Sequence, residues 1–136
     1  MKLTGLLSLT AAFAAAIVTA SAASAKTPNL AKLPPAAAKP GVTFDKDIKP
    51  IFEKSCVKCH GPEKQKGDLR LESREATLKG GDIGKVVEAG KIDKSPLLWS
   101  VARLDEDTAM PPEGKDEPLT KEQVSLIRAW IEQGAK

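Results

Sequence analysis

Two cysteines and a histidine form the most distinctive chemical group of the chain, in the order Cys56-Val57-Lys58-Cys59-His60. At the end of a helix, this spacing places the side chains of Cys56, Cys59 and His60 on one face. The two thiols are suited to forming thioethers with the two vinyl groups of a porphyrin, and the imidazole is suited to binding its iron. The motif therefore predicts one covalently attached haem c, with His60 as the proximal iron ligand.

Other chemistries of the cysteine pair fit the sequence less well. A redox dithiol of the thioredoxin type follows a strand in a βαβ pattern, and no such pattern is visible. A structural zinc ion needs four ligands, usually Cys and His, whereas the chain contains two Cys and one His. A simple disulfide between Cys56 and Cys59 remains open.

Met110 is the candidate for the second axial ligand of the iron. The chain has two methionines, and Met1 falls in the predicted signal peptide. Pro111 and Pro112 follow Met110, exclude a helix at this point and hold the loop extended. A thioether is a common iron ligand in cytochromes, so the sequence predicts Met110 as the distal ligand. A methionine that fills a gap in the core is the open alternative.

The first 25 residues have the features of a bacterial secretory signal peptide. Lys2 provides a positive start, residues 6–20 are mostly apolar, and small residues precede a cleavage site after Ala25. We therefore expect a periplasmic or otherwise exported protein. If the segment is not cleaved, it would remain as a membrane anchor.

The rest of the chain is predicted to form one small domain behind a linker. Residues 26–42 are rich in proline and alanine, which is typical of an extended or disordered linker, and the monohaem domain is predicted over residues 43–136. The whole chain has a formal net charge of +3 and no basic run. Nucleic-acid binding is therefore not expected. We also expect a monomer.

Amphipathic helices are predicted at both ends of this domain. The first, over about residues 45–58, delivers the cysteine motif, and its apolar face consists of Phe44, Ile48, Ile51 and Phe52. The last has an apolar face that consists of Val124, Ile127, Trp130 and Ile131. Thr120 and Gln123 form a capping-box signature at its start, and Gly134 is placed to end it.

The middle of the domain is predicted to be rich in loops. Ser95 followed by Pro96 indicates the start of one short helix that reaches Leu104. No run of alternating apolar and polar residues is long enough to predict a sheet. The sequence therefore predicts an all-α fold.

The chain resembles a class I c-type cytochrome and, most closely, the planctomycete-type cytochrome c domains. The landmarks are Phe44-Asp45, Pro50-Ile51-Phe52, Cys56 to Gly61, Gly67 to Arg74, Lys79-Gly80-Gly81, Gly90, Ser95 to Leu98, Met110-Pro111-Pro112, Trp130-Ile131 and Gly134-Ala135. The resemblance implies a small cytochrome c fold, with the first and last helices packed together around one haem c. It also implies Cys56 and Cys59 as the attachment sites, His60 as the proximal ligand and Met110 as the distal ligand.

These residues predict an electron carrier rather than an enzyme. Iron with both axial positions filled does not readily bind oxygen or peroxide, so its expected task is one-electron transfer between a donor and an acceptor protein that the sequence does not identify. A main-chain oxygen near the motif is expected to accept the proton of the outer imidazole nitrogen of His60. If Met110 is not a ligand, a five-coordinate haem peroxidase or gas sensor is the alternative. Arg70 and Arg74 are candidates for binding the haem propionates and equally for surface residues.

Overall fold

Helices joined by loops make up the part of the chain that the structure, a computed structural model, describes: residues 27–136. The α-helices are α1 (Lys49–Ser55), α2 (Arg74–Lys79), α3 (Pro96–Val101) and α4 (Lys121–Glu132). These residues form no β-strand, so the predicted all-α class is confirmed for them. None of their helices is both long and apolar enough to cross a membrane. The predicted signal peptide, with Met1 and the cleavage site after Ala25, lies outside the described residues.

The first predicted helix consists of a π-helical turn, Phe44–Ile48, that continues into α1. Pro50 lies in the first turn of α1, where proline is tolerated. The helix ends at Ser55, three residues before the predicted end at Lys58. The main chain therefore leaves the helix at Cys56, at the start of the cysteine motif, and not after the motif.

The predicted boundaries of the last helix are confirmed in α4. The hydroxyl of Thr120 accepts the N–H of Gln123 at 3.2 Å, and the amide oxygen of Gln123 accepts the N–H of Thr120 at 2.9 Å. Gly134 has φ +99°, and the N–H groups of Gly134 and Ala135 return to carbonyls of the last turn. This is a Schellman ending, which needs a left-handed residue at the glycine position.

The two ends of the domain pack together through aromatic side chains. The ring of Phe44 lies 5.7 Å from that of Trp130 and 5.9 Å from that of Phe52, measured between centroids. The main-chain oxygen of Lys136 accepts both the N–H of Phe44 at 2.7 Å and the indole N–H of Trp130 at 2.9 Å. The π-helical turn and α4 are thus joined by core packing and by a shared hydrogen-bond acceptor.

The helix α2 was not predicted, because the glycines on either side of it indicate loops. Its N-cap is Ser73, whose hydroxyl accepts the N–H of Ala76 at 3.1 Å. Thr77, within this helix, is fully buried. The serine, with Glu75 in the first turn, was the sequence signal that indicates this helix.

The helix α3 begins at Pro96 as predicted but ends at Val101, before the predicted end at Leu104. Ser95 precedes it, yet its hydroxyl does not cap it: it accepts the N–H of Glu88 at 3.0 Å and donates to the carbonyl of Lys91 at 2.7 Å. The serine therefore holds the preceding loop rather than the helix.

The segment predicted as a linker, residues 26–42, is packed against the domain where it is described, from residue 27. Leu33 and Val42 are buried in the core. The guanidinium of Arg128 on α4 donates to the carbonyl of Pro34 at 2.9 Å, and Gln133 accepts the N–H of Val42 at 3.0 Å. The composition of this segment indicated an extended conformation. Burial of its apolar side chains and hydrogen bonds from α4 hold it in place.

We expect Asp47→Asn to lower the free energy of unfolding by about 1 kcal/mol at pH 7. Asp47 is buried, forms an ion pair with Lys39 and accepts the N–H of Thr43 at 2.9 Å. The hydrogen bond from Lys39, and then that from Thr43, hold the pKa of the Asp47 carboxyl below its ordinary value of 3.8. Because the pKa is lower in the folded state, the stabilisation is present above the ordinary pKa and is lost as the pH falls through the folded one.

Urea unfolding followed by circular dichroism at pH 7 and at pH 3 measures this effect. The difference between wild type and Asp47→Asn should shrink at the lower pH. The control is Asp45→Asn, since Asp45 is an exposed carboxylate on the same turn. A difference that stays constant between the two pH values would contradict the prediction.

Candidate haem-binding site

The cysteine motif forms a single turn at the end of α1. Cys56 is the C-cap residue, and its carbonyl accepts the N–H of Cys59 at 3.0 Å and that of His60 at 2.9 Å. The side chains of all three residues are half-buried. The structure thus brings the two predicted attachment sites and the predicted proximal ligand together on one turn.

Gly61 allows the chain to leave this turn. A Cβ atom at position 61 would lie 2.4 Å from the carbonyl oxygen of Val57 and 2.8 Å from its Cγ1 atom. Both distances are shorter than real Cβ contacts, and the first involves the main chain, which cannot easily move. Glycine is therefore required directly after His60 for close main-chain approach.

The imidazole of His60 is oriented by a main-chain hydrogen bond. Its Nδ1 atom lies 2.9 Å from the carbonyl oxygen of Lys66. A carbonyl oxygen has no proton to donate, so Nδ1 carries the hydrogen and the lone pair of Nε2 is free to bind a metal. The predicted main-chain acceptor is thus present, and the structure identifies it as Lys66, which the sequence did not.

The loop after the motif folds back onto it to position this acceptor. The N–H of Lys66 donates to the carbonyl of Cys59 at 3.0 Å, and the N–H of Leu71 donates to the carbonyl of His60 at 2.8 Å. A Cβ atom at Gly81 would lie 2.3 Å from the carbonyl oxygen of Gly67, so a second loop packs on the first. The sequence indicated Gly81 only as a loop residue, whereas the structure shows that it allows this contact.

Ionisation of the Cys56 thiol is strongly disfavoured. Burial, and then the negative charge of Asp116, raise the pKa of this thiol to about 12. Dithiol oxidoreductases need a lowered pKa, because the thiolate is the nucleophile. The environment of Cys56 therefore argues against the redox-dithiol alternative. It also shows that the loop containing Asp116, which follows Met110, approaches the motif.

Met110 lies at the edge of an open cavity of about 440 Å³. The cavity is lined by Arg103, Glu106, Asp107, Ala109, Met110, Pro112 and Glu113. The side chain of Met110 is 37% exposed, and its N–H donates to the carbonyl of Ser100 at 3.0 Å. None of the lining residues belongs to the cysteine motif, and the role of Met110 as a ligand stays a prediction.

In a comparison with protein families, residues 56–114 match the model of the family described as planctomycete cytochrome C. These residues are similar to the planctomycete cytochrome c family. The family predicted from the motifs is thus confirmed. The match begins at Cys56 and extends beyond Met110, and it indicates a haem-binding electron carrier with covalently bound haem c. Comparison with curated proteins and with solved structures gave no match.

The two arginines that are candidates for binding the haem propionates have different partners. The Nε atom of Arg74 donates to the carbonyl of Ala135 at 2.6 Å, so this side chain ties α2 to the end of the domain. Arg70 forms an ion pair with Glu72. Among the described residues, Nε of Arg70 and one carboxylate oxygen of Glu72 are buried without a hydrogen-bond partner. Arg70 therefore retains a buried free donor next to Leu71, whose N–H donates to the carbonyl of His60.

The side chains of the motif fit a haem c. Cys56 and Cys59 are both free thiols, as thioether formation requires. In the neutral imidazole of His60, the hydrogen bond from Nδ1 to the carbonyl of Lys66 leaves the lone pair on Nε2. Haem c would therefore be held by this turn, through the three side chains that the sequence predicts.

Proposed function

We propose that this protein is an exported electron carrier whose single haem c is bound by Cys56 and Cys59, with His60 as the proximal and Met110 as the distal iron ligand. The observation that carries the proposal is the hydrogen bond from Nδ1 of His60 to Lys66, within a motif that belongs to a cytochrome c family. When bound, the haem supplies an iron centre that gains and loses one electron.

Each residue of the motif has a distinct role in this proposal. The two cysteines retain the haem through covalent bonds, so it is not lost when the protein diffuses between partners. The carbonyl of Lys66 holds the imidazole of His60 in one tautomer and one ring orientation. A fixed ligand needs little rearrangement when the iron changes its charge, which favours fast electron transfer.

Three features support Met110 as the distal ligand. It is the methionine that remains after the predicted signal peptide. Its exposed thioether is not committed to the core, unlike a methionine that fills a gap. The loop that follows Met110 comes near enough to the motif for the charge of Asp116 to raise the pKa of Cys56. A thioether favours the ferrous state and raises the reduction potential relative to a second imidazole.

We also propose which elements surround the haem and where the protein is located. The π-helical turn and α4, joined by Phe44 and Trp130, would form one wall of a small cytochrome c fold around the haem. The apolar segment of residues 6–20 would direct the chain to the periplasm. There, as a monomer, it would take electrons from one redox protein and pass them to another.

The substitution Met110→Ala tests the ligation. We expect the wild-type ferric protein to show a weak absorption band in the red, which arises from the bond between methionine sulfur and iron. In Met110→Ala this band should disappear completely, the ferrous form should bind carbon monoxide, and the reduction potential should fall. The matched control is Ile83→Ala, because Ile83 is the other large apolar side chain that is exposed among the described residues.

Two outcomes would contradict this reading. If the wild type lacks the red band and already binds carbon monoxide, the iron is five-coordinate, and a peroxidase or gas sensor becomes the better assignment. If Met110→Ala retains the band, another residue is the distal ligand.

A further inference from the structure

We propose that Arg103 is a positioning residue that holds the Met110 loop in the arrangement needed to bind the iron. This inference rests on the proposed ligation by Met110. The observation behind it is a hydrogen bond from Nη1 of Arg103 to the carbonyl oxygen of Pro111 at 3.0 Å. Pro111 follows Met110 directly and is buried.

Met110 is held to the end of α3 on both of its sides. Its own N–H donates to the carbonyl of Ser100, in the last turn of that helix. The carbonyl of the next residue, Pro111, accepts the guanidinium of Arg103, two residues after the helix. Two hydrogen bonds thus fix the main chain on either side of Met110 relative to α3.

The helix α3 is a firm base for these hydrogen bonds. Leu98 is fully buried, and Leu97 and Val101 are nearly so. The N–H of Leu97 also donates to the carbonyl of Val86 at 3.0 Å, which ties the start of the helix to the core. A loop anchored to such an element keeps its position better than one anchored to another loop.

The left-handed main-chain conformation of Arg103 independently supports a role for its side chain. α3 ends in a Schellman arrangement, with the N–H of Arg103 donating to Ser100 and the N–H of Leu104 donating to Trp99, both at 3.1 Å. The residue at this position must be left-handed, and Arg103 has φ +53°. Glycine is favoured there because a side chain adds strain. The chain has an arginine instead, and its side chain makes the hydrogen bond to the Met110 loop.

The charges near the loop favour a guanidinium at this position. Glu106, Asp107 and Glu113 line the same cavity as Arg103 and Met110. Without a cation, these three carboxylates would repel one another around the loop. The planar guanidinium can donate to the Pro111 carbonyl and remain close to these acidic side chains.

Competition with imidazole measures how firmly Met110 is held. Imidazole binds ferric iron only when Met110 has left it, so its apparent affinity rises with the fraction of molecules whose loop is open. We expect Arg103→Gly to bind imidazole about tenfold more tightly than wild type, equal to about 1.4 kcal/mol. Without imidazole, the variant should keep the red absorption band.

Three further variants separate positioning from a general effect on folding. Arg103→Gln keeps the strained main chain but loses the charge and should also bind imidazole more tightly, while Arg103→Lys should restore part of the wild-type behaviour. The matched control is Arg128→Ala, because Arg128 donates in the same way to the carbonyl of Pro34 at 2.9 Å, on the segment before the domain. It should leave imidazole affinity unchanged.

The outcomes distinguish this inference from the function on which it rests. Suppose that the wild type shows the red band but that Arg103→Gly and Arg103→Gln bind imidazole as weakly as wild type. This result would overturn the role of Arg103 and leave Met110 as the ligand. An equal increase in Arg128→Ala would also overturn it, because the effect would then be general. A wild type without the band would refute the ligation itself, and the role of Arg103 with it.

Discussion

The double variant Cys56→Ala/Cys59→Ala is expected to lose all covalently bound haem. The wild-type protein should keep one haem per chain after denaturation and acidic organic extraction, which removes only haem that is not covalently bound. Without either thiol, no thioether can form, and the extracted protein should show no absorption in the Soret region. Visible spectra of the extracted chains, exported from the same host, measure the effect.

The single variants refine this test. Cys56→Ala and Cys59→Ala should each keep one thioether, so the spectrum of the reduced haem should shift towards that of haem with one free vinyl group. Lys58→Ala is the control, because Lys58 lies between the two cysteines with an exposed side chain. It should keep the wild-type spectrum. Extraction of all haem from the wild type would contradict covalent attachment.

Trp130→Ala should cause the largest loss of stability, about 3–5 kcal/mol in the free energy of unfolding. Trp130 is 0% exposed, packs against Phe44 and donates its indole N–H to Lys136 at 2.9 Å. Its removal leaves a cavity at the contact between the two ends of the domain and removes one of the two hydrogen bonds to the main-chain oxygen of Lys136. For a domain of this size, such a loss is a large part of the total stability.

Denaturant unfolding of the haem-containing protein, followed by circular dichroism, measures this loss. The matched control is Trp99→Ala, since Trp99 is only half-buried and also makes one indole hydrogen bond, to the carbonyl of Ile92 at 2.7 Å. Its cost should be clearly smaller. Equal losses for the two variants would show that Trp130 is not the central contact of the fold.

The residues proposed to bind the haem could be selected from the sequence because their chemistry is local. Cys56, Cys59 and His60 lie within five consecutive residues, and one helical turn is enough to bring them together. The capping box of Thr120 and Gln123 was predictable for the same reason. Such patterns depend on side-chain type and short spacing, which the sequence displays directly.

The features that the sequence did not reveal depend on contacts between distant segments. Lys66 acts on His60 through a main-chain carbonyl, which any residue type would provide, so no pattern identifies it. The segment predicted as a linker is ordered because Leu33 and Val42 are buried against the rest of the domain. Composition alone does not show what surface is available to an extended segment.

The division between sequence and tertiary structure thus has one physical cause. The sequence by itself predicted the family and the helical class, which are confirmed, and the attachment sites and proximal ligand, which stay predictions. All of these depend on residue chemistry and short-range periodicity. Only the tertiary structure decided which carbonyl orients His60, which helix holds the Met110 loop and which side chain, Arg103, reaches Pro111. Those contacts form when the folded chain brings main-chain groups and distant side chains together.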